Sequence, residues 1–268
     1  MSLESKTPRT IQQFFVPTLV ILAIGLAFFS GTLFQRVKNL ESGKANTDTT
    51  NTTTGTTTQA VSLDTIKGLF DKDLIKFGDA KRKVLFIEMA DPSCPYCHIA
   101  DGYNAKLAES AGTTFKYVSK GGTYVPPGVE MEKLVKSGDA SYVYIYYPGH
   151  SNGEMGMKAL YCANEKGKFW EAKNALMTDA GYTLMNTTVI NDKTKSSVVA
   201  DFFKGVVDSN FMKSCLDSGK YDAQLASDQA LATSLGIQGT PSFYVNATNF
   251  PGAYSYTDMK SAVDSALK

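Results

Sequence analysis

Hydrophobic and polar residues follow two different periods along the chain, and the changes of period predict its order of elements. The run Val84–Ala90 is short, almost continuously apolar and followed by Asp91-Pro92, which predicts a buried strand. Apolar positions then recur every three or four residues over 97–111, which predicts one helix. The aromatic and β-branched run Tyr142–Tyr147 predicts a second strand. The strands flank a helix, so the three elements form a β-α-β unit with parallel strands.

The remainder of the chain predicts further helices and a closing hairpin. Thr65–Phe77 has the spacing of a short lead-in helix, and residues 152–236 keep a helical period throughout. Ser242–Val245 then reads as a strand, with Pro251–Tyr256 as its hairpin partner. A last helix follows, with Thr257 as its N-cap. These elements indicate an α/β fold with a helical insertion over about 152–236.

The N-terminal region contains a long uncharged segment. Phe14–Phe34 carries no charged residue and is long enough to span a bilayer as a helix. A cleaved signal peptide is the alternative, but its apolar core has only ~7–15 residues and ends at an A-x-A-like site. Ser30-Gly31-Thr32 fits such a site poorly, so we expect an uncleaved anchor. The flanking charges leave its orientation open.

A threonine-rich tract separates this segment from the rest of the chain. Nine of the fourteen residues in Asn46–Gln59 are threonine and none is apolar, so the tract cannot form a core and should act as a flexible tether. The predicted organisation is a short polar N-terminus (1–12), a transmembrane anchor (13–35), a flexible linker (36–60) and one folded domain (61–268).

Composition narrows the class of protein without identifying it. The 268 residues are 43% hydrophobic and 20% charged, as in an ordinary globular protein. The net charge of +1 gives no reason to expect a nucleic acid partner.

The candidate chemistry lies at the start of the predicted helix, in Cys94-Pro95-Tyr96-Cys97. A proline is tolerated in a first helical turn, where its missing N–H removes no hydrogen bond. The helix N-terminus stabilises an anion and can lower a thiol pKa from about 8.5 to ~3.5–7.5. We therefore expect Cys94 to be the attacking thiolate. Cys97, deeper in the helix and less exposed, would resolve a mixed disulfide formed on Cys94.

A metal site is the competing interpretation of this cysteine pair. A closed zinc site needs four ligands, usually in two clusters. The chain has four cysteines and two histidines, and Cys162 and Cys215 are not spaced as a second such pair. A membrane-tethered metal-binding module using Cys94, Cys97 and a histidine remains an alternative, although no metal is predicted.

The cysteine motif after an apolar strand, followed much later by Gly236-Ile237-Gln238-Gly239-Thr240-Pro241-Ser242-Phe243-Tyr244-Val245, resembles the thioredoxin superfamily. It is most similar to the DsbA-type thiol–disulfide oxidoreductases. The resemblance implies a thioredoxin fold in which the bond before Pro241 is cis and faces Cys94, with Thr240 and Pro241 offering backbone to a substrate. It makes Glu88 the buried acidic residue beneath the site, able to relay a proton to Cys97. Pro95 and Tyr96 would tune the redox potential.

The predicted function is a thiol–disulfide oxidase anchored in the cell membrane by one helix. A cysteine pair that introduces disulfides belongs in an oxidising space, so we expect the folded domain to lie outside the cytoplasm. It would exchange its Cys94–Cys97 disulfide with secreted polypeptides that fold after export. A membrane reoxidase of the DsbB or VKOR type would be its partner, and no cofactor is needed because the disulfide carries the electrons. A disulfide isomerase or reductase of the same fold is the alternative, since related isomerases also carry Pro-Tyr between the cysteines and Thr before the proline.

The two remaining cysteines lie on apolar helix faces of the predicted insertion. In an oxidising compartment, Cys162 and Cys215 are expected to form a structural disulfide. Two buried free thiols are the alternative, because cysteine is among the most buried residue types.

Overall fold

The structure is a computed structural model, and it describes residues 61–268. The predicted anchor (13–35) and linker (36–60) lie outside the described residues. Within residues 61–268, no helix combines the length and the apolar character needed to cross a membrane.

Five strands form one mixed sheet in the centre of the domain. They are β1 (Ile75–Phe77), β2 (Val84–Ala90), β3 (Ala140–Tyr146), β4 (Ser242–Val245) and β5 (Thr248–Pro251). The strand order is β1-β3-β2-β4-β5, with β2 and β3 parallel and the other neighbours antiparallel. The predicted β-α-β unit is therefore present. Every residue of β2 and β3 is buried, which explains why these strands are nearly continuous apolar runs.

Helices cover the sheet on both faces. In chain order the α-helices of residues 61–268 are α1 (Leu63–Gly68), α2 (Pro95–Asp101), α3 (Ala105–Ser110), α4 (Pro127–Ser137), α5 (Glu154–Glu165), α6 (Phe169–Leu176), α7 (Asp179–Thr183), α8 (Ser196–Phe202), α9 (Ser209–Asp217), α10 (Asp222–Ser234) and α11 (Tyr256–Leu267). A π-helix (Leu184–Val189) follows α7, and short 3₁₀ turns lie at Leu69–Asp71, Thr113–Phe115, Val118–Lys120 and Lys193–Lys195. Helices α5 to α10 all lie between β3 and β4, in the region of the predicted insertion.

The alternation of side chains along β2 divides the core in two. Phe86 and Ala90 face the cluster that contains both motif cysteines and most of the inserted helices. Leu85, Ile87 and Met89 face a smaller cluster formed with α1 and α10. Each large apolar side chain buried in this way contributes about 1.5–3 kcal/mol. Glu88 lies on the Phe86 side of the strand, so its carboxyl is directed into the larger cluster.

The prediction of a single helix over 97–111 is wrong, because the structure has two helices there, α2 and α3. Gly102 ends α2 with a left-handed φ of 85°, a conformation that other residues rarely adopt. A Cβ at this position would lie 2.7 Å from Pro126 Cβ, so a larger residue does not fit. Asn104 then caps α3 by accepting a hydrogen bond from Leu107 N at 3.1 Å. The apolar residues keep their helical spacing across Gly102 and Asn104, so the spacing alone did not show that the helix ends and restarts there.

The helix predicted over Thr65–Phe77 also ends earlier than expected. Its last residues are β1, which pairs antiparallel with β3, Ile75 opposite Tyr144. Pairing with a strand far along the chain overrides the local helical spacing, which periodicity cannot detect.

The closing hairpin and the last helix need smaller corrections. The hairpin partner of β4 is Thr248–Pro251 rather than Pro251–Tyr256. The turn comes at Asn246, which has a positive φ of 52° and accepts a hydrogen bond from Leu85 N at 2.8 Å. The N-cap of α11 is Ser255 rather than Thr257, because Ser255 and Asp258 form a reciprocal capping box.

Candidate active site

The motif cysteines lie at the end of β2 and the start of α2. Cys94 is the N-cap of α2, and Pro95 follows it as the first helical residue. Both cysteines are free thiols, and both have an exposed fraction of 0%. Cys97 is the more deeply enclosed of the two, as expected, but Cys94 is not exposed either. The loop before β4 covers it, and the Cys94 thiol donates a hydrogen bond to the Thr240 carbonyl at 3.3 Å.

The two thiols differ in acidity although both are buried. A hydrogen bond from the Cys97 thiol lowers the pKa of Cys94 to about 6, against burial, which raises it. Burial raises the pKa of the Cys97 thiol well above its usual range, and the neighbouring Cys94 adds to this. The backbone N–H of Cys97, one of the donors at the helix N-terminus, contributes less to this lowering than the Cys97 thiol does.

The loop that carries Thr240 and Pro241 faces the cysteine pair from the side of β4. The Thr240–Pro241 peptide bond is cis. The Gly149 backbone approaches from the loop after β3, and a Cβ there would lie 1.8 Å from Thr240 Oγ1. A groove of about 430 Å³ runs beside this loop and is lined by Gly236, Ile237, Gln238, Gly239, Thr240, Pro241, Ser242, Asn249, Pro251 and Gly252.

Tyr96 marks the outer side of the motif. Its side chain is 44% exposed, and its ring lies 5.5 Å from that of Phe115, centroid to centroid. Phe115 is part of a second groove, of about 480 Å³, whose lining shares Pro251 and Gly252 with the first. Aromatic and polar groups thus extend from the cysteine pair along one side of the domain.

Glu88 lies beneath α2 in a buried cluster of charged groups. Tyr142 donates a hydrogen bond to its Oε2 at 2.5 Å, and Lys173 Nζ lies 3.4 Å from the same atom. Lys173 also forms an ion pair with Asp101, and both side chains are buried. Burial raises the pKa of Glu88 to about 7, and the negative charge of Asp101 acts in the same direction. Sequence reasoning found Glu88 but missed Lys173 and Asp101.

Asp91, rather than Glu88, is the residue whose carboxyl charge acts on the Cys97 thiol. The backbone N–H of Asp91 donates to Cys97 Sγ at 3.5 Å, which lowers the pKa of the Cys97 thiol, whereas the charge of the Asp91 carboxylate raises it. Asn186 Nδ2 donates to the carbonyl of Ser93 at 3.0 Å, which holds the loop before Cys94 to the inserted helices. In the sequence, Asp91 served only as the end of a strand. An aspartate three residues before a reactive cysteine was the available signal.

Cys162 on α5 and Cys215 on α9 form a disulfide bond with a Cα–Cα distance of 6.1 Å. The structure therefore bonds the two cysteines that the sequence paired. Within the described part of the chain, no group of three or more His, Cys, Asp or Glu side chains is placed to hold a metal ion.

The family profile described as Thioredoxin matches residues 130–265, which is just over half of the chain. This chain belongs to the thioredoxin family. The matched residues begin after Cys97, so the role of the cysteine pair depends on the geometry of the site.

Two solved structures from Wolbachia pipientis share the fold. The chain is 18% identical to alpha-DsbA1, with a TM-score of 0.54, and the match covers 73% of this chain and 91% of the other. It is 15% identical to the thiol-disulfide exchange protein alpha-DsbA2, with a TM-score of 0.51, over 76% of this chain and 96% of the other. The DsbA-like thioredoxin fold is confirmed.

A curated relative is much longer than this chain. The chain is 24% identical over 200 residues to the Na(+)/H(+) antiporter NhaA 3 of Salinispora tropica, which covers 74% of this chain and 25% of the antiporter. The chain thus spans about a quarter of the length of the curated relatives it matches.

Proposed function

We propose that the chain is a thiol–disulfide oxidoreductase that exchanges a Cys94–Cys97 disulfide with polypeptide thiols. The observation that carries the proposal is the unequal acidity of two adjacent buried thiols. The pKa of Cys94 is lowered to about 6, whereas that of Cys97 is raised. One sulfur is thus prepared to attack or leave as a thiolate, and the other to hold a proton.

In the oxidising direction, a substrate thiolate attacks Cys94 Sγ of the oxidised pair. The Cys94–Cys97 bond breaks, its electron pair passes to Cys97 Sγ, and that sulfur takes a proton. A second substrate thiolate then attacks the substrate sulfur of the mixed disulfide, and Cys94 leaves as a thiolate. The substrate gains one disulfide and the protein pair gains two electrons. Thr240 and Pro241, beside the groove, offer backbone to the bound segment.

Glu88 is the proton reservoir of this proposal. Its buried carboxyl has a pKa of about 7, so it can hold or release a proton near neutral pH. Pro95 and Tyr96 set the start of α2 between the two sulfurs and thereby tune the redox potential.

The oxidase role is favoured over isomerase or reductase activity by the acidity of Cys94. A stabilised thiolate makes the reduced form more favourable, and the disulfide becomes a stronger oxidant. The equilibrium of the pair with glutathione tests this assignment. A strongly reducing potential would favour a reductase, and shuffling of wrongly paired disulfides without net oxidation would favour an isomerase.

The proposal places the domain outside the cytoplasm, tethered to the cell membrane by segment 13–35. The Cys162–Cys215 disulfide supports this location, because structural disulfides persist mainly in oxidising compartments. Secreted polypeptides would be the substrates, and a membrane protein of the DsbB or VKOR type would reoxidise the pair. Protease protection of the intact chain in membrane vesicles tests the topology.

A trapping experiment tests the chemistry. Cys97→Ser removes the resolving thiol, so mixed disulfides between Cys94 and a reduced, unfolded polypeptide should accumulate on non-reducing gels. Cys94→Ser should yield neither complexes nor oxidation. The double variant Cys162→Ala/Cys215→Ala is the control and should exchange normally. If Cys94→Ser is the variant that traps, the two roles are reversed.

A further inference from the structure

Asp91 is a fully buried carboxylate to which the reaction described above gives no role. Its Oδ1 accepts hydrogen bonds from Ser93 N at 2.8 Å and from Ser93 Oγ at 2.7 Å. Its Oδ2 accepts one from His150 N at 2.7 Å. Each of these three contacts presents a donor, and a carboxylate accepts all of them without giving one up. The hydrogen-bond geometry therefore favours the ionised form, against burial, which raises the pKa of Asp91.

Asp91 is held in place from two sides. Ser93 belongs to the loop before α2, and His150 belongs to the loop between β3 and α5. The backbone of that second loop packs directly on the carboxylate, since a Cβ at Gly153 would lie 1.7 Å from Asp91 Oδ1. The carboxylate cannot change its orientation without breaking these contacts.

We propose that Asp91 is a positioning residue that acts on Cys97 in two ways. Its backbone N–H binds the Cys97 sulfur at 3.5 Å and fixes its place. Its immobilised carboxylate opposes a second negative charge beside that sulfur. The inference rests on the proposed exchange reaction. When the Cys94–Cys97 bond breaks, its electron pair passes to Cys97 Sγ. Because the Asp91 charge disfavours a thiolate there, the Cys97 sulfur must take up a proton as it leaves.

The titratable groups around Asp91 determine whether its charge can act in this way. They are Cys94, Cys97 and His98 at the start of α2, Tyr144 and Tyr146 on β3, and His150 in the following loop. Burial lowers the pKa of His98, so this ring is neutral at pH 7 and does not cancel the charge of Asp91. The His150 residue is exposed, so solvent screens the interaction between its ring and the Asp91 carboxylate.

The test is a titration of Cys97 in the full chain with Cys94→Ser, in which the Cys162–Cys215 disulfide leaves Cys97 as the free thiol. The carbon NMR shift of cysteine-labelled protein reports the midpoint at Cys97 Cβ. Asp91→Asn should lower this midpoint by about one pH unit, which is about tenfold more thiolate at a fixed pH below the midpoint. The amide oxygen can still accept from Ser93, but the amide NH2 then faces the His150 N–H, so the change removes the charge together with one hydrogen bond.

Two control variants separate the effect of the Asp91 charge from the effect of its hydrogen bonds to the loop before α2. Ser93→Ala removes a hydrogen bond to Asp91 and keeps its charge. Asp228→Asn neutralises another fully buried aspartate, one that accepts hydrogen bonds from Tyr161 and Gln224. Both should leave the Cys97 midpoint where it is. A shift with Ser93→Ala as large as that with Asp91→Asn would mean that Asp91 only supports the loop, and the proposal would be overturned.

Two further results of the titration would overturn the proposal. If Asp91→Asn does not fold, Asp91→Ser replaces it, and a folded neutral variant with an unchanged midpoint overturns the proposal. A Cys97 midpoint at or below that of an ordinary cysteine, with Asp91 in place, overturns it without any variant. The titration uses no substrate, so a chain that fails to oxidise polypeptides can still show the shift, and an active oxidase can lack it.

Discussion

The chain contains two buried cysteine pairs that differ in the polar groups around them. Cys94 and Cys97 are free thiols at the start of α2, next to the buried carboxylate of Asp91. Cys162 and Cys215 are joined across two helices, 53 residues apart in sequence. All four cysteines belong to the larger hydrophobic cluster, but a polar network around Asp91 holds the loop before Cys94, whereas the second pair cross-links two helices.

This difference shows that burial alone does not determine the chemistry of a cysteine. Burial raises the pKa of an isolated thiol, and Cys97 follows that rule. The pKa of Cys94 is lowered to about 6 because a neighbouring thiol donates a hydrogen bond to it. Charged and hydrogen-bonding groups therefore mark the reactive pair, and the second pair connects helices.

The largest expected effect comes from removing the connecting pair. Cys162→Ala/Cys215→Ala should lower the free energy of unfolding by about 4 kcal/mol, because it removes a cross-link that closes a loop of about 50 residues. Thiol exchange with a peptide should change less than twofold. Chemical denaturation and a peptide oxidation assay measure the two effects. A tenfold loss of exchange in a folded variant would mean that the two pairs are not independent.

Lys173 tests the charged cluster beneath the reactive pair. Lys173→Met should lower the free energy of unfolding by about 3 kcal/mol at neutral pH, because Glu88 and Asp101 would lose their buried cation. The loss should shrink at low pH, where the carboxyls are protonated. Lys158→Met is the matched control, since Lys158 is buried but its partner Asp222 is half exposed. Equal losses in the two variants would contradict the assignment.

The pKa of Glu88 predicts a pH dependence of stability. It rises from an ordinary 4.5 to about 7, so the folded state binds the proton more tightly than the unfolded state. The resulting stability is complete below about pH 4.5 and is lost as the pH rises through about 7. Glu88→Gln should remove this part of the slope, of the order of 2 kcal/mol between about pH 5 and pH 8. Denaturation series at several pH values measure it. An unchanged slope would mean that Glu88 does not titrate in this range, and surface Glu109→Gln serves as control.

The smallest expected effect sharpens the account of Cys94. Cys97→Ala removes the thiol that lowers its pKa, so the alkylation midpoint of Cys94 should rise from about 6 by about one unit or more. Mass spectrometry of the alkylated peptide across pH gives the midpoint. Cys162→Ala/Cys215→Ala, which keeps Cys97, should show no change. An unaltered midpoint in Cys97→Ala would return the main role to the helix N-terminus.

Much of the fold could be predicted from local patterns of hydrophobic and polar residues. The apolar run of β2 and the breaker after it placed the cysteine motif at the start of a helix, because strand and helix periods are properties of neighbouring residues. The helical period after β3 likewise marked the inserted helices. Errors occurred at Ile75–Phe77 and Gly102, where long-range pairing and a left-handed glycine overrode the spacing.

The sequence by itself determined which residues can carry the chemistry: a Cys-x-x-Cys pair, an acidic residue in a buried strand and a Thr-Pro step. Only the tertiary structure decided which groups surround them. Lys173 reaches Glu88 from an inserted helix, and the His150 backbone reaches Asp91 from a loop 59 residues away. Such contacts depend on sheet register and helix packing, which cannot be predicted from the periodicity of a short segment. The acidity of the two thiols depends on those neighbours, so it too was settled by the folded chain.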